Sequence, residues 1–189
     1  MVPYYKDELV TLYYSDCRAV LCDVAKDTAV VSGPPWYEHP VVAREIVSDL
    51  EALQVREAIV QWTEMDHPPC SLPLVAVYAW VHCNPNGVPG SRYQPFFHYA
   101  DHGERQRSDA LFYEPVTIHH AEYWGHPHQY PVALAANLIQ RVPKNLTILD
   151  PFAGSGATLL AARQLGRKAI VIEKDETYCK IAVKRITSA

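Results

Sequence analysis

Asp150-Pro151-Phe152-Ala153-Gly154-Ser155-Gly156-Ala157-Thr158 is the stretch that decides how this chain folds. The apolar run Leu146–Leu149 leads into it, and the apolar helical pattern Leu159–Leu165 leads out. A second apolar run, Ala169–Ile172, ends in Glu173. The order is strand, glycine turn, helix, strand, acid, which is that of a nucleotide-cofactor half-site. Glycines at the turn let a ligand approach the backbone closely. The helix that follows aims its unpaired N–H groups at any anionic group bound there. An acid at the tip of the next strand can accept hydrogen bonds from ribose hydroxyls.

Two common cofactors are disfavoured by what is missing. A dinucleotide site wants a third glycine where Leu159 stands, which argues against NAD and FAD. The Gly-Lys-Ser/Thr ending of a phosphate loop is also absent, which argues against ATP.

With Leu165-Gly166-Arg167, Ile172-Glu173, Tyr178 and Arg185 added, the C-terminal third resembles the S-adenosylmethionine-binding end of the DNA amino-methyltransferases. These enzymes methylate adenine N6 or cytosine N4. The resemblance implies S-adenosylmethionine as cofactor, with Asp150, Phe152, Ala153, Gly154, Ser155, Gly156, Thr158 and Glu173 among the residues that bind it. Upstream, His126-Pro127-His128-Gln129-Tyr130-Pro131 is similar to the family's His-Pro-x-Gln-Lys-Pro segment. That likeness adds His126 and Gln129 to the implied cofactor site. Tyr130 departs from the pattern by standing where the family has lysine. Pro131 suits the first turn of a helix, where its missing N–H is not needed, and Val132, Leu134, Leu138 and Ile139 continue that helix.

The substrate loop comes earlier in the chain. Thr28–Val31 predicts a short buried strand, followed by Ser32 and then Gly33-Pro34-Pro35-Trp36. The last four resemble the family's Asp/Asn/Ser-Pro-Pro-aromatic motif, with glycine in place of its first side chain. An exocyclic amine is a poor nucleophile because its lone pair is conjugated with the ring. In the family, hydrogen-bond acceptors on the first motif residue and on the first proline carbonyl, here Pro34, draw it out of conjugation. The aromatic, here Trp36, stacks on a base flipped out of the helix, a contact worth about 1–3 kcal/mol. The resemblance therefore implies Gly33, Pro34, Pro35 and Trp36 as the catalytic set. Losing one preorganised polar group costs on the order of 3 kcal/mol at the transition state. Three alternatives stand open at this point. The chain is a weakened or inactive relative that still binds cofactor or DNA; a water or another side chain, such as Ser32, replaces the acceptor; or the substrate is not a standard base amine, with engineered inactivation a fourth reading and RNA or a nucleotide a further substrate hypothesis suggested by the acidic charge and the short insert. If Gly33 only weakens an otherwise intact site, Gly33→Asp is expected to raise methyl transfer.

Leu12–Leu21 resembles the family's opening strand and Gly-Asp-Cys turn, with Ser15 for the glycine. The likeness gives Asp16 a contact with the cofactor's adenine amine; without it, Asp16 reads as a helix N-cap. The order of parts, substrate loop first and cofactor turn last, is the permuted one of the beta class.

The remaining expectations come from bulk properties. A chain of 189 residues predicts a single methyltransferase domain over 1–189. Five cysteines without Cys-x-x-Cys spacing, and the lack of a signal peptide or apolar span, predict a cytoplasmic protein away from membranes. His119, His120, His126 and His128 cluster without the partners of a metal site, so no metal is expected. A net charge of −4 is awkward for a DNA binder. Helix is expected over Pro40–Leu53, and strands over Ala58–Trp62 and Leu74–Val81. Residues 84–124 read as a loop-rich insert and reduced target-recognition region. Its polar stretch His98–Asp109, with Arg92, Arg105 and Arg107, is the candidate for DNA contacts. So short an insert leaves recognition minimal, or supplied by a homodimer or partner subunit, or the substrate something other than long duplex DNA, and suits a compact, phage-like, restriction-modification type of methylase. The fold expected is α/β: a permuted Rossmann-like, doubly wound, mostly parallel sheet with helices on both faces and one antiparallel edge strand. The function expected is S-adenosylmethionine-dependent methylation of a DNA base amine, adenine N6 first and cytosine N4 second.

Overall fold

A computed structural model describes residues 1–35, 40–62, 68–82, 93–113, 115–116 and 120–188, with the side chains of 82 and 93 excepted. Among the described residues nine strands form one sheet: β1 (Tyr5–Lys6), β2 (Val10–Tyr14), β3 (Thr28–Ser32), β4 (Glu57–Gln61), β5 (Leu74–His82), β6 (Tyr93–Ala100), β7 (Ala110–Tyr113), β8 (Thr147–Asp150) and β9 (Ala169–Glu173). The helices are α1 (Leu21–Val24), α2 (Pro40–Ser48), α3 (Val132–Ile139), α4 (Ala157–Gln164) and α5 (Glu176–Thr187). The spatial order is β1-β2-β9-β8-β3-β4-β6-β5-β7.

Alternation within the strands explains the two covered faces. In β3, Ala29 and Val31 point to one face and Val30 to the other; in β9, Ala169 and Val171 oppose Ile172. The first face packs against Leu134 and Leu138 of α3, Leu159 of α4, and Ala182 and Ile186 of α5. The second packs against Leu21 of α1 and Ala43, Ile46 and Val47 of α2. Strands buried on both faces have to be apolar throughout, which is why Ile148-Leu149 and Ala169–Ile172 read as continuous apolar runs.

Strands β2, β9, β8, β3 and β4 pair in parallel. The edge strand β1 is antiparallel, as expected. A second reversed strand, β6, lies inside the sheet between β4 and β5, where no antiparallel strand was expected. Residues 93–100 and 110–113 of the expected loop-rich insert are thus β-structure. His98, read as part of a polar surface stretch, is fully buried, with Tyr78 Oη 2.9 Å from Nδ1 and Glu57 Oε2 3.0 Å from Nε2. Satisfying both ring nitrogens is what lets a histidine stand in a sheet interior. Helix α2 stops at Ser48 rather than Leu53, because the chain then turns, with Gln54 at φ 60°, to enter β4.

The sheet winds outward in both directions from the β3–β8 pair. Connections leave that point toward β4 on one side and toward β9 on the other, so a crevice opens at the carboxyl ends of β3 and β8.

Candidate active site

That crevice is a cavity of about 800 Å³. The β8–α4 turn, the Ser32-Gly33-Pro34-Pro35 end of β3, and the His126–Tyr130 segment all reach it.

Asp150 closes β8 and organises the turn. Its Oδ1 accepts from Ser32 Oγ at 2.6 Å and from the Phe152 N–H at 3.0 Å. Thr158 also bonds this carboxyl, yet full burial dominates and pushes its pKa up. Ser32 thus donates its hydroxyl proton to Asp150 across the switch point. Gly154 and Gly156 are left-handed, at φ 50° and 83°, which glycine alone adopts cheaply. A side chain at 154 would also strike His126 Nε2 at 2.9 Å, and one at 156 the Ala182 Cβ at 2.8 Å. Arg185, buried on α5, donates from Nη1 to Ser155 O at 2.7 Å and to Ser155 Oγ at 3.1 Å, tying the turn to the helix behind it.

Glu173 ends β9 and braces the same turn. Its Oε2 accepts from Gly154 N–H at 2.8 Å and its Oε1 from Asp175 N–H at 2.8 Å, while burial raises its pKa. The Lys174 N–H bonds the same carboxylate. The N–H groups of the turn itself are engaged within the protein. The N–H groups of Phe152, Ala153, Gly154 and Gly156 bond Asp150, Ile172, Glu173 and Ala153. Asp16, Asp150, Glu173 and Asp175 stand on the walls with Arg18 and Lys174, so acidic groups outnumber basic ones around the cavity.

Asp16 lines the cavity but is held by Arg18: its carboxylate accepts from Arg18 N–H and N–H of Nε at 3.0 Å each and from Nη2 at 2.6 Å. The Arg18 bonds hold its pKa down at about 2. Asp16 is therefore also the N-cap that an isolated reading of the sequence suggested. His126 reaches the wall beside Gly154 and packs at a tilt against Tyr178, with ring centroids 4.4 Å apart. Gln129 is buried and braces a neighbouring segment: Oε1 accepts from Trp124 N–H at 3.1 Å and Nε2 donates to Glu122 O. Glu122 in turn caps α3 through Val132 N–H at 3.1 Å.

Gly33, Pro34 and Pro35 line the cavity; Trp36 and Arg92 lie outside the described residues. Gly33 is not left-handed, so its glycine is not there for conformation. It is there for space. A Cβ would lie 1.8 Å from Tyr130 Oη, 2.4 Å from Cζ and 2.6 Å from Cε2. The ring of Tyr130 is wedged edge-on against Trp80 at 5.7 Å and Phe96 at 5.9 Å. A side chain at position 33 therefore enters only if the Tyr130 ring shifts away.

Arg105 and Arg107 lie at the other end of the sheet. Residues 101–108 follow the carboxyl end of the reversed β6 and run past the amino ends of β4 and β5, with Asp101 N–H on Arg56 O and Gln106 N–H on Val75 O. Arg107 is paired with Asp109 at 3.2 Å. Gln61, Trp80 and Gln94 were not singled out from sequence, yet all line the cavity on the β4–β6–β5 side. Gln61 and Gln94 hydrogen-bond each other. A glutamine at the carboxyl end of an apolar strand run was the available signal. Among the described residues no group of three His, Cys, Asp or Glu is spaced to hold a metal ion, and no helix is long and apolar enough to cross a membrane.

The family profile described as DNA methylase, of N6 and N4 type, matches residues 72–184, more than half of the chain. This chain belongs to that family. It is 45% identical over 69 residues to the type II methyltransferase M2.LlaDCHI of Lactococcus lactis subsp. cremoris, 35% of this chain and 26% of that protein. It is 50% identical over 62 residues to M.HindIII of Haemophilus influenzae, 32% of this chain and 20% of that protein. The chain thus aligns with about a quarter of the length of these relatives. Among solved structures, the M1.HpyAVI–SAM complex superposes with a TM-score of 0.72 at 20% identity, covering 94% of this chain and 99% of that one. The cytosine-N4-specific PvuII DNA methyltransferase gives 0.71 at 14%, covering 98% and 93%. These likenesses establish the shared fold.

Proposed function

We propose that this chain transfers a methyl group from S-adenosylmethionine to an exocyclic amine of a DNA base, adenine N6 in the first instance and cytosine N4 in the second. One observation carries the reading: the glycine turn of β8 and the Pro-Pro turn of β3 open onto a single cavity of about 800 Å³ at the switch point. That volume suits a cofactor with a base beside it.

The residues present fit this cofactor, whose sulfonium is cationic. Its bound form supplies an activated methyl group. Asp150, Glu173 and Asp16 offer carboxylates for its ammonium, ribose and adenine groups, and the left-handed Gly154 keeps the turn low enough to admit it. The chain's part in the reaction is to orient. Ser32 and Thr158 fix Asp150, Arg185 fixes the turn, and the Pro34 carbonyl accepts from the base amine. Proximity and alignment supply much of the rate, since direct methyl transfer needs no covalent enzyme intermediate. The test is methyl transfer from radiolabelled S-adenosylmethionine to unmethylated genomic DNA, with cofactor affinity by calorimetry on the same preparation. Digestion to nucleosides then names the base.

A second reading, an inactive relative that binds cofactor or DNA, is favoured by the Tyr130 ring in the space of a side chain at position 33. Cofactor binding without transfer to DNA or RNA selects it.

A further inference from the structure

Two departures from the sequence pattern, Gly33 and Tyr130, lie 97 positions apart and meet in space. Tyr130 Oη stands 1.8 Å from where a Cβ at position 33 would be, on the cavity wall. The Trp80 and Phe96 rings hold the phenol edge-on, so it is a fixed group rather than a swinging one. Among the described residues nothing hydrogen-bonds its hydroxyl. An unpaired polar group facing a cavity calls for a ligand partner. We propose that the Tyr130 hydroxyl replaces the missing side chain at position 33 and accepts the hydrogen bond of the target amine.

The inference rests on the proposed amine-methylation function. Burial, with Asp150 nearby, raises the Tyr130 pKa well above its usual value, so the group stays a neutral phenol. A phenol oxygen accepts through a lone pair without ionising. The Pro34 carbonyl takes one N–H and Tyr130 Oη the other, which leaves the nitrogen lone pair free of the ring. The nitrogen forms its new N–C bond as the S–C bond breaks, with that electron pair going to sulfur. One N–H proton then passes to water. Tyr130 is on this account a catalytic residue that the backbone gap at Gly33 makes room for.

Tyr130→Phe keeps the ring contacts and removes only the acceptor. Single-turnover methyl transfer to genomic DNA is expected to fall about 100-fold or more, while cofactor affinity by calorimetry and the thermal midpoint stay at wild-type values. Gly33→Asp/Tyr130→Lys, which returns both positions to the family pattern, is expected to transfer within about tenfold of wild type. Transfer by Tyr130→Phe within about threefold of wild type overturns the inference and leaves the proposed function standing. A loss of cofactor affinity or thermal midpoint that parallels the loss of transfer also overturns it, by making the hydroxyl structural. Wild-type protein that binds cofactor and methylates nothing refutes the proposed function itself, and the inference with it. Transfer gained by the double variant in that case identifies the tyrosine as a plug.

Discussion

Gly33→Ala measures how tightly Tyr130 fills the space at position 33. The new methyl carbon would sit 1.8 Å from Oη, 2.4 Å from Cζ and 2.6 Å from Cε2. Non-bonded carbons rest at about 3.5–4.0 Å, so the ring has to withdraw by more than an ångström. It withdraws against Trp80 and Phe96, whose edges already touch it. Overpacking of this kind costs about 1–3 kcal/mol. In a Tyr130→Ala background the same methyl enters vacated space. Since the backbone of Gly33 is not left-handed, alanine there limits only the unfolded chain and stabilises by about 0.4–1 kcal/mol. The two effects differ in sign, and the coupling between the positions comes to about 1.4–4 kcal/mol. Urea unfolding of the four proteins in the cycle measures it. Equal effects of Gly33→Ala in both backgrounds, within about 0.5 kcal/mol, would refute the claim that Tyr130 explains the glycine.

Arg185→Met should lower stability by about 1–3 kcal/mol, because Ser155 O and Oγ lose a buried donor. It should also weaken cofactor binding through the loosened turn, and calorimetry showing unchanged affinity would remove Arg185 from the site's support. Asp150 gives a pH signature. Burial raises its folded pKa above the unfolded value, so the folded state is favoured by this group at low pH and loses that advantage as pH rises through the folded value. Asp150→Asn should therefore melt higher than wild type by a margin that shrinks as pH falls from 7 toward 4. A margin that stays flat or grows would mean that the carboxylate is not penalised by its burial.

The chain's parallel core was legible because local rules and tertiary structure agree there. Ile148-Leu149 before Asp150 and Ala169–Ile172 before Glu173 are apolar throughout, as strands buried on both faces have to be. Gly154 and Gly156 had to be glycines for backbone reasons that hold in any context. Strands β6 and β7 were not legible. Tyr93–Ala100 includes Pro95 and His98, which break an alternating apolar pattern, and its ladder partners lie in β4 and β5, far away in sequence. His98 is tolerated only because Glu57 and Tyr78 are waiting for it.

The sequence by itself determined the family and the residues at the two ends of the cavity, since motif chemistry is written in contiguous residues. Only the tertiary structure decided what those residues do. It turned Arg185 and Gln129 from motif positions into braces, engaged Asp16 with Arg18, and set Arg105 and Arg107 at the far end of the sheet. It also joined Gly33 to Tyr130, two anomalies that are unreadable apart. Side chains distant in sequence share one volume, and two groups cannot occupy it together, so only the folded chain shows which of them fills it.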